Sequence, residues 1–217
     1  MKTIKSSVVL VFFLGIGIAH AQTRLMPLPG DLSTKEKIEK HNSYFLPIYN
    51  FKENDRVASI GTSFGYREIV FSMETPKILF YLQDIQPHFL RPDFVEGFIF
   101  QCQKIYGRAT KSEFRLSIGD SVSTKLPQII FDKIIIENAL HEFTYPNEML
   151  TDILSKLSDN GYLFISEKIA SKPNRKHKSC RGLLFMEHQL IDLLAKFDCK
   201  LIEKYQPYPR EKRFFRV

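Results

Sequence analysis

The sequence predicts an α/β sandwich, a largely parallel sheet covered by helices on both faces. Three observations carry this. From residue 56 onward, short apolar runs alternate with helical patterns. Runs such as Lys77–Leu82 and Lys133–Ile136 are nearly continuous in apolar residues, the pattern of strands buried on both sides. The segment Val57-Ala58-Ser59-Ile60-Gly61-Thr62-Ser63-Phe64-Gly65-Tyr66 reads as a strand, a small-residue turn and a helix start. Such a turn lets backbone N–H groups approach a ligand at a helix N-terminus.

The first element is a leader. Lys2 and Lys5 precede the apolar run Val8–Ile18, and Ala19-His20-Ala21 is a small-x-small cleavage pattern before Gln22. A membrane-spanning helix needs roughly 20 apolar residues, so residues 1–21 read as a signal peptide and not as an anchor. The mature chain is expected to be periplasmic or secreted, with no transmembrane anchor after cleavage. Losing Lys2 and Lys5 lowers the formal charge from +7 to +5. That balance suits acidic partners without marking a nucleic-acid-binding surface. The remainder has the length of one domain.

Residues 22–44 read as a linker with Pro27, Pro29 and Gly30, followed by a helix over 35–42. Ser33 or Thr34 caps that helix, with Glu36 near the third position. The domain proper is placed at 45–217. Its strands are expected at 56–60, 78–82, 114–118, 132–138 and 162–166, and its helices at 65–73, 88–106 and 147–157. A helix at 186–197 and strands at 199–206 and 211–216 close the chain. In the 186–197 helix Leu190, Ile191, Leu193 and Leu194 share a side, with Glu187, Gln189 and Asp192 outside. Right-handed crossovers then put any ligand at the carboxyl ends of the strands, beside the switch point.

Cys102, Cys180 and Cys199 allow at most one disulfide, and Cys102 reads as a buried small hydrophobe. Their spacings match no zinc motif, so no metal site is expected. There is no nucleophile elbow or Ser-His-Asp order to suggest a hydrolase. The Gly61-x-x-x-Gly65 spacing is not the Gly-x-Gly-x-x-Gly of dinucleotide oxidoreductases. The basic stretch Lys172–Arg181 reads as a solvated loop at the ligand edge, able to attract an acidic group.

Taken in order, these segments resemble class I S-adenosylmethionine-dependent methyltransferases over residues 45–217. Gly61 and Gly65 match the outer glycines of the family's first motif. Ser63 stands at the middle glycine and Ser59 at the usual strand-end acid. Asp84, followed by Ile85, matches the second-strand acid that binds the ribose hydroxyls. Asp120, with Ser121 after it, matches the position near the adenine amino group. Phe131–Phe143 resembles the family's fourth strand and the Leu-His segment behind it. Leu157–Ile165 resembles the turn into strand five, and Phe197–Ile202 with Arg213–Val217 the terminal antiparallel pair.

The resemblance implies a Rossmann-like three-layer sandwich with a mostly parallel seven-stranded sheet and an antiparallel C-terminal strand. It implies S-adenosylmethionine as small-molecule cofactor, held by Ser59, Gly61, Ser63, Gly65, Asp84, Ile85, Asp120, Ser121 and Glu137. His141 as general base and Glu142 as its orienting or substrate-binding partner are the catalytic candidates, on the rim after strand four. The methyl acceptor is not specified. Serine at position 59 brings no charge, and Glu68 is expected on the outer side of its helix. The competing reading is therefore a non-catalytic methyltransferase-like binding protein of the cell envelope.

Overall fold

The computed structural model describes residues 26–205 and 212–217. The leader expected at 1–21 lies outside the described residues. Seven strands form one sheet: β1 (Arg56–Ile60), β2 (Leu79–Asp84), β3 (Glu113–Ile118), β4 (Phe131–Glu137), β5 (Leu157–Lys168), β6 (Glu203–Tyr205) and β7 (Lys212–Arg216). Their order is β3-β2-β1-β4-β5-β7-β6. β1 to β5 run parallel, and β7 is antiparallel to both β5 and β6. The three-layer sandwich with a largely parallel sheet and an antiparallel C-terminal pair is thus present.

The period-two alternation of each strand divides the apolar core in two. Val57, Phe80, Leu82 and Ile135 face a layer built from α1 (Lys35–Tyr49), α2 (Tyr66–Ser72) and α3 (Pro92–Tyr106). Ala58, Ile60, Ile134 and Ile136 face α4 (Pro146–Leu154) and α5 (Glu187–Ala195). Leu28, Leu32, Ile38 and Phe45 belong to the first cluster, so the segment before residue 45 packs as part of that layer.

Several boundaries differ from the sequence expectation for local reasons. α1 continues past residue 42 to Tyr49, because Phe45, Ile48 and Tyr49 stay buried along its apolar side, and it ends where Asn50 turns left-handed. Its cap is Thr34, which accepts from Lys37 N–H at 3.4 Å. α3 begins at Pro92 and not at residue 88, since proline supplies the preset φ of a first turn. α4 stops at Leu154 because Leu157 already pairs with Phe131, at the end of a β5 longer than expected. The register shifts between Phe131 and Lys133, so the expected Leu157–Gly161 turn is an irregularity inside the strand. Among the described residues no helix is long and apolar enough to cross a membrane.

Beneath α4, Lys156 is almost fully buried and bonds Asp152 Oδ1, while Thr124 donates to Asp152 Oδ2 from its backbone at 2.9 Å and its hydroxyl at 2.6 Å. This network ties the loop before β4 to the helix behind it. The three cysteines are unpaired.

Candidate functional site

A cleft of about 610 Å³ opens at the carboxyl ends of β1, β2 and β4. That is where the strand order reverses direction around β1, the place an open parallel sheet leaves a crevice. Its volume is in the range of small-molecule sites.

The β1–α2 turn forms its floor. Gly61 and Gly65 sit at φ +69° and +68°, and a Cβ at either would lie 2.5 Å from Ala139 Cβ or 2.6 Å from Leu82 Cδ1. Both ends of the turn therefore need a residue without a side chain. Ser63 adopts φ 53° even with its Cβ, and its N–H donates to Asp84 Oδ2 at 2.8 Å. The second Asp84 oxygen accepts from Gln86 N–H at 2.8 Å. Two backbone donors thus fix this carboxylate between the first two strand ends, and each oxygen keeps a further lone pair for a ligand hydroxyl.

Ser59 Oγ donates to Glu68 Oε1 at 2.6 Å. This corrects the expectation that Glu68 faces outward: it is buried and lines the cleft. The reason is local. Glu68 lies in the first turn of α2, and helical side chains lean toward the N-terminus, here back onto the end of β1. Burial pushes its carboxyl above the usual range, against the opposing hydrogen bond from Ser59. A serine nine residues before an acid in the next helix's first turn was the signal for this pair. Beside it Arg67 makes an ion pair with Glu137 across the cleft wall.

Of the expected cofactor residues, Ser59, Gly61, Ser63, Asp84, Ile85, Asp120, Ser121 and Glu137 all line the cleft. Gly65 does not; it caps α2 from beneath. Ile85 is an exposed apolar side chain here, with Phe89 nearby on the same lining, which offers a flat apolar seat. Asp120 accepts from the N–H groups of Val122 and Ser123, both at 2.9 Å, and pairs with Lys125. The Val122 N–H first, then Lys125 and the Ser123 N–H, hold its carboxyl below the usual range. The sequence did not single out Arg67, Gln83, Phe89, Phe143, Thr144 or Met149, which complete the lining.

The two catalytic candidates separate. Glu142 lines the cleft, whereas the His141 imidazole is fully buried and borders a different hollow with Phe143, Leu184 and Phe185. The cause is Glu167 at the end of β5, whose buried carboxylate takes His141 Nδ1 at 2.9 Å. The ring's other side meets the loop after β5: Nε2 is 3.3 Å from Cys180 Sγ. Desolvation alone would lower the His141 pKa, but the Glu167 hydrogen bond and the charges of Glu167 and Glu142 leave it raised.

The residues suit an S-adenosyl ligand. The glycine floor admits backbone approach, Asp84 offers a fixed carboxylate, Ile85 and Phe89 an apolar surface, and the Ser59–Glu68 pair a buried carboxyl group. No family model matches the sequence, and no curated protein matches it. Solved structures do. A methyltransferase of Methanosarcina mazei, described as S-adenosylmethionine-dependent, superposes with TM-score 0.60 at 14% identity, over 79% of this chain and 95% of its own. One from Aquifex aeolicus gives 0.57 at 15%, over 83% and 96%. A glycopeptide N-methyltransferase complexed with sinefungin gives 0.58 at 10%, over 81% and 84%. Strand order, cleft position and these superpositions agree: the chain has the fold of the class I S-adenosylmethionine-dependent methyltransferases.

Proposed function

We propose that this chain is an exported S-adenosylmethionine-dependent methyltransferase whose donor site is the cleft at the ends of β1 and β2. The observation that carries the reading is Asp84. Its two oxygens accept from the Ser63 and Gln86 N–H groups at the end of β2, the position that the resemblance assigns to the ribose hydroxyls. On this reading Asp120 and Ser121, which line the cleft, meet the purine, and Glu142, Phe143 and Thr144 face the acceptor.

When bound, the cofactor supplies a sulfonium methyl group for in-line displacement. The protein's part is to hold, orient and desolvate. Glu68 is the carboxylate hydrogen-bonded to Ser59 at the end of β1, so on this reading it takes the place of the family's strand-end acid toward the ligand's ammonium. The cleft wall at Glu142 receives the acceptor. His141 acts behind it, 3.6 Å from Glu142 Oε1, as a positioning residue. Export rests on the leader-like residues 1–21.

Calorimetry tests the reading. Saturable binding of S-adenosylhomocysteine is expected, weakened about 30-fold by Asp84→Ala, the loss of charge-assisted bonds of about 2 kcal/mol. Absence of saturable binding by the folded protein would leave a non-catalytic binding protein on the same scaffold.

A further inference from the structure

Outside the cleft, the loop after β5 folds back as a hairpin. Lys176 and Leu183 form a bridge, His177 N–H donates to Gly182 O at 2.8 Å, and Leu184 N–H donates to Arg175 O at 2.9 Å. Its tip carries Cys180 onto His141. Gly182 permits the approach: a Cβ there would stand 3.1 Å from His141 O and 3.3 Å from His141 Cδ2.

Three soft or borderline donors meet at this point. Cys180 Sγ is 3.3 Å from His141 Nε2 and 3.2 Å from His177 Nδ1. Glu142 Oε1 is 3.6 Å from His141 Nε2 on the cleft side. The ligand atoms of His141, His177 and Cys180 all lie within 4.8 Å of one another, and this is the one such group among the described residues. In tetrahedral zinc sites, metal–sulfur and metal–nitrogen bonds of about 2.3 and 2.0 Å put the donors about 3.5 Å apart. The two sulfur–nitrogen separations, 3.3 and 3.2 Å, match that spacing.

We propose that His141 Nε2, His177 Nδ1 and Cys180 Sγ bind a thiophilic divalent cation of the zinc class, with the fourth position left to water or another ligand. The inference shares His141 with the methyl-transfer reading but does not rest on it, since metal uptake is read without any methyl donor. The surrounding residues support it. Glu167 takes the other nitrogen of His141, fixing the tautomer that leaves Nε2 free to ligate. The thiol proton leaves to solvent on binding. The ligands span residues 141–180, with only His177 and Cys180 close in sequence, so no linear motif announces them.

A thiol nucleophile with His141 as base fits less well. The second imidazole, 3.2 Å from the sulfur, would have no part in that chemistry.

The test uses the purified, reduced chain stripped with a chelator. Titrated with Co2+, it is expected to take up one equivalent and to show a thiolate-to-cobalt charge-transfer band with intense tetrahedral d–d absorption. Cys180→Ser removes that band and weakens Zn2+ by at least about 100-fold. Glu167→Gln keeps the band and weakens Zn2+ by about 10-fold. Stoichiometric Zn2+ slows alkylation of Cys180 in the unsubstituted chain. A cobalt complex without the charge-transfer band overturns the proposal with no variant needed. So does a Zn2+ affinity unchanged in Cys180→Ser, or alkylation of Cys180 at one rate with and without the metal.

Discussion

Ser59 and Glu68 form a hydrogen-bonded pair, 2.6 Å from Oγ to Oε1, buried at the end of the first strand. The pair puts a carboxyl group where the strand itself offers only a hydroxyl. The acid is delivered from the following helix, one layer away.

Binding of S-adenosylhomocysteine should follow that acid. Glu68→Gln is expected to weaken it about 10-fold, the loss of one hydrogen bond to a charged group. The double variant Ser59→Asp with Glu68→Ser returns the charge to the strand and should recover most of the affinity. Calorimetry on the three proteins decides this; equal affinity in Glu68→Gln would remove the acid from the donor site.

The same group sets a pH dependence. Its folded-state pKa is raised by burial. The stability linked to its proton is therefore fully present below the ordinary glutamate value and is lost as pH rises through the raised one. Ligand affinity should move the other way and strengthen over that window, as the carboxylate forms beside the ammonium. Denaturant midpoints and calorimetry across the window check both signs, and Glu68→Gln should flatten both curves.

The first turn of the cleft should tolerate no side chain at residue 61. In Gly61→Ala the new Cβ meets Ala139 Cβ at 2.5 Å, in backbone at φ +69°. We expect a loss of about 1–3 kcal/mol from the overpacking. Thermal unfolding measures it, and the adjacent Ala139→Gly change should restore part of the loss.

Asp152→Ala should cost about 3 kcal/mol, because it strands the buried Lys156 ammonium and two Thr124 donors. In the unsubstituted chain burial works to raise the Asp152 pKa, but the hydrogen bonds of Lys156 and Thr124 leave it lowered. The stability it contributes is present above the ordinary aspartate value and lost as pH falls through the lowered one. Urea unfolding at neutral and acid pH should show the variant's deficit shrinking on the acid side.

Much of this molecule is legible in its sequence. Apolar runs such as Lys133–Ile136 announce strands buried on both faces, and β4 confirms it with Ile134 and Ile136 on one side and Ile135 on the other. The cleft floor is legible too, since Gly61 and Gly65 occupy conformations that favour glycine. What escaped depended on direction and not on residue type. Glu68 turned inward because its position in the first helical turn aims it back at β1. His141 turned away from the cleft because Glu167, at the far end of a neighbouring strand, captured its ring. Cys180 and His177 reached His141 only through a hairpin that no local spacing encodes.

The placement of β7 has its own consequence. These 5 residues lie between β5 and β6 and are hydrogen-bonded on both sides. A chain clipped just before them would lose two seams at once. The last parallel strand would then offer an open row of amides and carbonyls to any neighbouring molecule, so proteolysis there should read out as clumping before it reads out as unfolding.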